Sequence, residues 1–307
     1  MTSGAPRPAP SRRSRRFGPT TCAALALALA LGATLLAGVL PSTAAHAATR
    51  ALVVGADYAP AASPELRLAN TLRDARAIEA LLRRVRAADV RLLENPTGAD
   101  WQSASAAFVA QIQPGDVAIV YYAGHAVQVA GVNYFLAADG RELVPMSGLI
   151  STIMARARAA VFIIDACRNN PFREAAPRDT RGLRIHALGQ PAPAPGGSSG
   201  SIGLLGLDEL RESRGGLSQF GDLRGSNALV LFSTDPGNVA LDGEPGRGSP
   251  FAGAVVEQLA RRQSLDEAIR RITTDVARRT GGRQSPWRQG DTGFPLFLAG
   301  EPSFPVP

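Results

Sequence analysis

The sequence predicts an α/β fold, a mostly parallel sheet of about six strands with helices on both faces, and three observations carry that prediction. From Arg50 onward, short apolar runs alternate with stretches of helical periodicity, the pattern of strands joined through covering helices. Two of the runs, Val117 to Tyr122 and Val161 to Ile164, are continuously apolar and rich in β-branched or aromatic residues. They are too short for helices and too apolar for edge strands, so they belong in the middle of the sheet. A chain of 307 residues with 45% hydrophobic content is also long enough to bury a large core.

The elements follow in order. Ala51 to Val54 is the first strand. Leu68, Leu72, Ala75, Ile78, Leu82 and Val85 recur every three or four residues with arginines between them, which gives a helix over about Leu66 to Arg86. Val90 to Leu93 makes a second strand, and a helix over about Asp100 to Ile112 stops before Pro114-Gly115. After the two central runs the composition changes over residues 171–226. Pro-Ala-Pro-Ala-Pro at 191–195, Gly-Gly-Ser-Ser-Gly at 196–200 and scattered arginines read as a flexible insertion. Order resumes with a strand at Ala228 to Phe232, helices near Pro250 to Arg261 and Ser264 to Arg279, and a last strand at Phe294 to Leu298. A single domain over 48–300 and a tail over 301–307 result.

Residues 1–47 read as a targeting segment: a basic stretch, an apolar run from Thr21 to Leu40, and Ala45-His46-Ala47, a small-x-small cleavage pattern. Cleavage would leave Ala48 as the first residue of an exported, periplasmic or extracellular protein. Residues 21–40 are equally long enough to act as an uncleaved membrane anchor, the only way in which a membrane would be a partner. Five of the seven net positive charges belong to this leader. Without its five arginines, 28 Arg face 26 Asp plus Glu, a net of +2, too little to bind a phosphate backbone, and no nucleic-acid partner is expected. The chain contains no lysine, which excludes a Walker phosphate loop, a Schiff-base lysine and a Ser-Lys dyad.

Beyond the leader one cysteine remains, Cys167, so no internal disulfide can form. It follows the apolar run 161–164, and His125 follows the run 117–122. Both therefore stand at carboxyl ends of central strands, the edge of a parallel sheet where ligands bind. An imidazole beside a thiol helps hold it as thiolate and can protonate a leaving amine. The competing reading of Cys167 is a small buried hydrophobe. A zinc site is not expected, because only His186, in the insertion, accompanies these two residues. Gly196-Gly197-Ser198-Ser199-Gly200 formally matches a serine nucleophile elbow but follows a proline-rich stretch instead of a strand.

Tyr121-Tyr122-Ala123-Gly124-His125 and Asp165-Ala166-Cys167-Arg168-Asn169-Asn170-Pro171-Phe172 resemble the histidine and cysteine motifs of bacterial caspase-like peptidases, relatives of caspases and metacaspases. Val53-Val54-Gly55 with Asp57-Tyr58, the helix start Asn70 to Ala75, Asn133-Tyr134-Phe135-Leu136, Gly248-Ser249-Pro250-Phe251 and Gln284-Ser285-Pro286-Trp287 stand in the same order as in that family. The resemblance implies a caspase-like three-layer sandwich and a cysteine-type endopeptidase. Its Cys167-His125 dyad would cut peptide bonds through an acyl-enzyme, and its oxyanion would be held by backbone N–H groups of Gly124, Ala126 and Cys167. The family usually has glycine where this chain has Ala126, and a position needing positive φ would strain alanine.

In the metacaspase branch two aspartates line an acidic pocket, and Asp165 and Asp74 occupy the matching positions. The resemblance thus implies cleavage after Arg or Lys. The alternatives are a strand-end cap for Asp165 and a surface partner of Arg73 or Arg76 for Asp74. Arg173, Arg178, Arg181 and Arg184 in the insertion are then candidate self-cleavage sites, or merely solubilising charges. The expected partners are peptide or protein substrates. No cofactor is expected; calcium activates some related families, but no calcium ligand set is legible in this sequence. A catalytically silent protein-binding module and a small-molecule thiol hydrolase are the competing functions.

Overall fold

The computed structural model describes residues 47–61, 64–129, 131–166 and 225–300, the backbone of 183–186 and 201–205, and residues 1, 217, 220 and 223 singly. Strand β1 (Thr49–Gly55) leads through a 3-10 turn at Pro64–Leu66 to α1 (Thr71–Arg84). Strand β2 (Asp89–Glu94), helix α2 (Gly98–Gln111) and strand β3 (Val117–Ala123) follow. A meander of β4 (Ala126–Val129), β5 (Val132–Leu136) and β6 (Glu142–Pro145) runs into α3 (Met146–Met154) and β7 (Ala159–Asp165). Strands β8 (Leu183–His186), β9 (Ser201–Leu205) and β10 (Ala228–Phe232) precede α4 (Pro250–Leu259), α5 (Leu265–Arg279) and β11 (Trp287–Gly290).

The main sheet has six strands in the order β11-β10-β7-β3-β1-β2, parallel except for β11. Alternation along each central strand feeds two cores. Ala51, Val53, Ile119, Tyr121 and Ile163 face α1, α4 and α5, whereas Leu52, Val54, Val120, Tyr122 and Ile164 face α2 and α3. Both faces are covered, which is why these strands read as unbroken apolar runs. The chain leaves β1 toward β2 on one side and returns to β3 on the other. The crevice between the β1 and β3 ends is therefore the switch point where an open α/β sheet takes its ligand.

Several expectations change. The first helix starts at Thr71, because residues 64–66 form a separate turn and Asn70 is committed elsewhere. The last strand is Trp287–Gly290, antiparallel to β10. In 294–298, Pro295 has no N–H to give a ladder, and Leu296 packs instead into the core under α5. A second sheet, β4-β5-β6-β8-β9, went unread. Two of its strands lie within 171–226, which is therefore not wholly irregular. Among the described residues no helix is long and apolar enough to cross a membrane; residues 2–46 lie outside them.

Candidate active site

His125 sits two residues past the end of β3, and its backbone is held from three sides. Its N–H donates to Tyr58 Oη at 2.7 Å, and its carbonyl accepts Tyr122 Oη at 2.5 Å and Leu136 N–H at 3.0 Å. The Tyr58 ring lies 4.7 Å from the imidazole, centroid to centroid. Gly124 has to be glycine here, since a Cβ would stand 2.6 Å from Tyr122 Oη and 3.0 Å from Tyr58 Oη. The adjacent strand ends are locked in register: Ala123 pairs with Asp165, Gly124 N–H donates to the Asp165 carbonyl at 3.2 Å, and Ala56 N–H donates to the Ala123 carbonyl at 2.9 Å.

His125 is 9% exposed, and its Nε2 lies 2.9 Å from the Leu66 carbonyl. A carbonyl only accepts, so Nε2 carries the proton and Nδ1 keeps the lone pair. Burial disfavours the imidazolium and lowers the pKa to about 4, against a smaller upward pull from the Leu66 carbonyl. Above that pH His125 is a neutral base. Cys167 lies outside the described residues, two positions beyond Asp165, whose carbonyl already touches Gly124.

Beside His125 three carboxylates gather. Asp74, in the first turn of α1, is 4% exposed, and Asp165, at the end of β7, is 8% exposed. Ser249 joins them: its N–H donates to Asp74 Oδ2 at 3.0 Å, its hydroxyl donates to Asp165 Oδ2 at 2.6 Å, and the same oxygen caps α4 through Ala252 N–H at 2.9 Å. Burial, with the added charge of Asp74, pushes Asp165 up to about 7, and burial, with the added charge of Asp242, pushes Asp74 up to about 6. Asp242 is the third, half-buried and also shifted upward by desolvation. The cleft they line, with His125, Gly124, Ala166 and Leu241, encloses about 320 Å³ counting its open mouth. The Tyr121 hydroxyl, fully buried and without a hydrogen-bond partner among the described residues, lies in the field of all three carboxylates.

Asn70 explains why the loop 242–249 sits here. Its amide donates to the Asp242 and Glu244 carbonyls, at 2.7 and 3.0 Å, and its oxygen accepts Gly246 N–H at 2.8 Å and Gly248 N–H at 3.2 Å. Asp242 Oδ2 accepts Ala69 N–H at 2.7 Å. Gly248 has φ +83, and a Cβ there would lie 2.6 Å from Asp74 Oδ1. Gln284 fastens the loop from the other side, donating to the Ser233 carbonyl and accepting Leu241 N–H.

Set against the sequence expectations, His125, Gly124, Ala126, Asp74 and Asp165 converge on one sheet edge. Asp74 is not a surface partner; it is buried, and Arg76 pairs with Glu94 at 2.6 Å instead. Asp165 accepts a serine hydroxyl and so is not simply a cap for backbone amides. Ala126 opens β4 and is not among the residues with positive φ, so alanine carries no strain there. The N–H of Gly124 is already committed to Asp165, which weakens its case as an oxyanion donor. Because Leu136 N–H donates to the His125 carbonyl, the neighbouring pair Ala126–Phe135 is of the non-hydrogen-bonded type, and the Ala126 N–H turns away from β5. Arg173, Arg178 and Arg181 lie outside the described residues, while Arg184 and His186 belong to β8. Ser249, Asp242 and the Leu66 carbonyl were missed by sequence reasoning; Asn70 and Gly248 were the signals that tie the first two to α1.

A family model described as caspase domain matches residues 48–296. No curated protein gives a significant match. Among solved structures, caspase-1 from Spodoptera frugiperda is 14% identical with a TM-score of 0.51, covering 84% of this chain and 92% of that one. A protein from Geobacter sulfurreducens is 16% identical with a TM-score of 0.53, covering 83% and 98%. At such identities the likeness concerns the fold.

Proposed function

Because this chain belongs to the caspase domain family, whose members are generally cysteine peptidases, we propose that it is a cysteine endopeptidase that cuts after arginine or lysine. The observation that carries the reading is the pair Asp74 and Asp165, buried, bridged by Ser249 and opening on the cleft that His125 lines. No lysine exists in the chain, and among the described residues no arginine forms an ion pair with either carboxylate, Arg73 acting on Asp74 only at longer range, so an incoming guanidinium or ammonium supplies the close countercharge. Asp242 adds negative potential at the mouth.

In this mechanism Cys167 gives its proton to His125 Nδ1 as its sulfur attacks the carbonyl carbon. The oxyanion takes the N–H groups of Ala126 and Cys167. The C–N bond then breaks, His125 returns the proton to the departing amine, and a thioester remains. Water, deprotonated by the same nitrogen, hydrolyses it and regenerates the thiol. The Leu66 carbonyl keeps the ring in the tautomer that both half-reactions need.

Matched arginyl and aspartyl peptide substrates test the proposal. The wild type is expected to cleave the first and not the second, Cys167→Ala neither, and Asp165→Ala the arginyl peptide at least about tenfold less efficiently through KM. Unchanged arginine preference in Asp165→Ala would remove the pocket from the account. The silent-module alternative drew on Ala126, and the strand geometry at that residue takes away its support.

A further inference from the structure

At the opposite, amino edge of the sheet lies another buried carboxylate, Asp116, with an unusual set of donors. Asp116, 2% exposed, accepts Ala48 N–H at Oδ1 (2.9 Å) and, at Oδ2, both Arg50 Nε (2.7 Å) and Gln113 N–H (2.9 Å). Ala48 is itself fixed, its carbonyl accepting Val117 N–H at 2.8 Å, and Asp116 is fixed through its carbonyl by Arg158 N–H at 2.8 Å. Ala47, next to it, is exposed. The nitrogen held by Asp116 is the one that a leader peptidase would free at the small-x-small pattern Ala45-His46-Ala47. The compact unit begins at Ala47 and the family match at Ala48.

We propose that the leader is hydrolysed at the Ala47–Ala48 bond and that Asp116 is the binding site for the α-ammonium this creates. Hydrolysis by a leader peptidase adds one water: the Ala47 carbonyl carbon takes the hydroxyl as a carboxylate, and the Ala48 nitrogen becomes an amine that is protonated near neutral pH. Before cleavage Oδ1 accepts a neutral amide N–H; afterwards it faces a cation, in the position that Arg50 occupies on Oδ2. The ion pair exists only in the processed chain, so removing the leader tightens the start of β1, the strand at the centre of the switch point. The main sheet and both helical layers lie within 48–300, so the mature chain 48–307 is the form to test.

The exported full-length chain should show Ala48 as its first residue by intact mass, and a terminus elsewhere overturns the proposal. Mature protein with a free Ala48 amine is then compared with its Nα-acetylated form, which keeps an N–H but no charge. Acetylation should lower Tm by about 2–4 °C, an ion-pair effect in a domain of this size. In Asp116→Asn the two forms should melt together; an equal loss in both backgrounds contradicts the assignment. Should Asp116→Asn fail to fold, a chain beginning at Ala47 serves instead. Its amine is displaced by one residue and should melt like the acetylated form, and melting like the Ala48 form would overturn the proposal.

Discussion

His125 Nε2 lies 2.9 Å from the carbonyl oxygen of Leu66, a contact between the loop after β3 and the 3-10 turn before α1. One backbone atom thus fixes which ring nitrogen is protonated, a task that a carboxylate performs in many hydrolytic triads. Replacing Leu66 by another apolar residue should therefore leave kcat within about twofold, because the carbonyl survives. His125→Gln should lower kcat by at least about 10³-fold by removing the base.

The pH dependence separates binding from chemistry. Burial raises Asp165 to about 7 and Asp74 to about 6, so lowering the pH through that range neutralises the pocket that a guanidinium needs. His125 stays neutral down to about 4. For an arginyl substrate, kcat/KM should fall as pH drops from 8 to 6, while kcat persists to lower pH because a bound cation keeps the pair ionised. Steady-state kinetics across that range check both limbs, and an acid limb of kcat/KM near 4 would contradict the assignment.

The same shift is a stability statement. A carboxyl whose folded pKa is raised destabilises the fold when ionised; the cost is absent below the unfolded value near 4 and fully present above about 7. Asp165→Asn should therefore raise stability by about 1–2 kcal/mol at pH 8 and have little effect at pH 4, while weakening arginine recognition. Denaturant unfolding at the two pH values measures it.

Gly248→Ala combines a left-handed backbone with a Cβ 2.6 Å from Asp74 Oδ1. The variant should lose about 1–2 kcal/mol and raise KM for arginyl substrates by displacing Asp74 from Ser249 N–H, with a smaller effect on kcat. Chemical denaturation and a KM-against-kcat comparison test this.

Given a basic preference, the arginines of the insertion are candidate self-cleavage sites. Arg184 stands in a strand, where a scissile bond cannot extend into an active site without unpairing from β6. If the chain nicks itself, cuts should fall after Arg173, Arg178 or Arg181 before Arg184. Intact mass of wild type beside Cys167→Ala reads this directly, and identical masses would exclude self-cleavage.

What was legible in the sequence follows from how each element is stabilised. β1, β3, β7 and β10 are buried on both faces, so their residues alone announce them. β11, Trp-Arg-Gln-Gly, is an edge strand with one apolar residue and owes its structure to pairing with β10, whereas Phe294 to Leu298 looked like a strand because burial, not a ladder, made it apolar. His125, Asp74 and Asp165 were legible as parts of motifs. Asp242 and Ser249 were not, because nothing local places a loop some 170 residues away against α1; the hydrogen bonds of Asn70 do.

The most direct test of the central claim is a thiol-reactive arginyl peptide probe incubated with the mature protein and followed by intact and peptide mass. The account predicts a single adduct on Cys167, lost in His125→Ala and strongly reduced in Asp165→Ala, and none with the aspartyl counterpart of the probe. An unlabelled Cys167, or equal labelling by both probes, would contradict it.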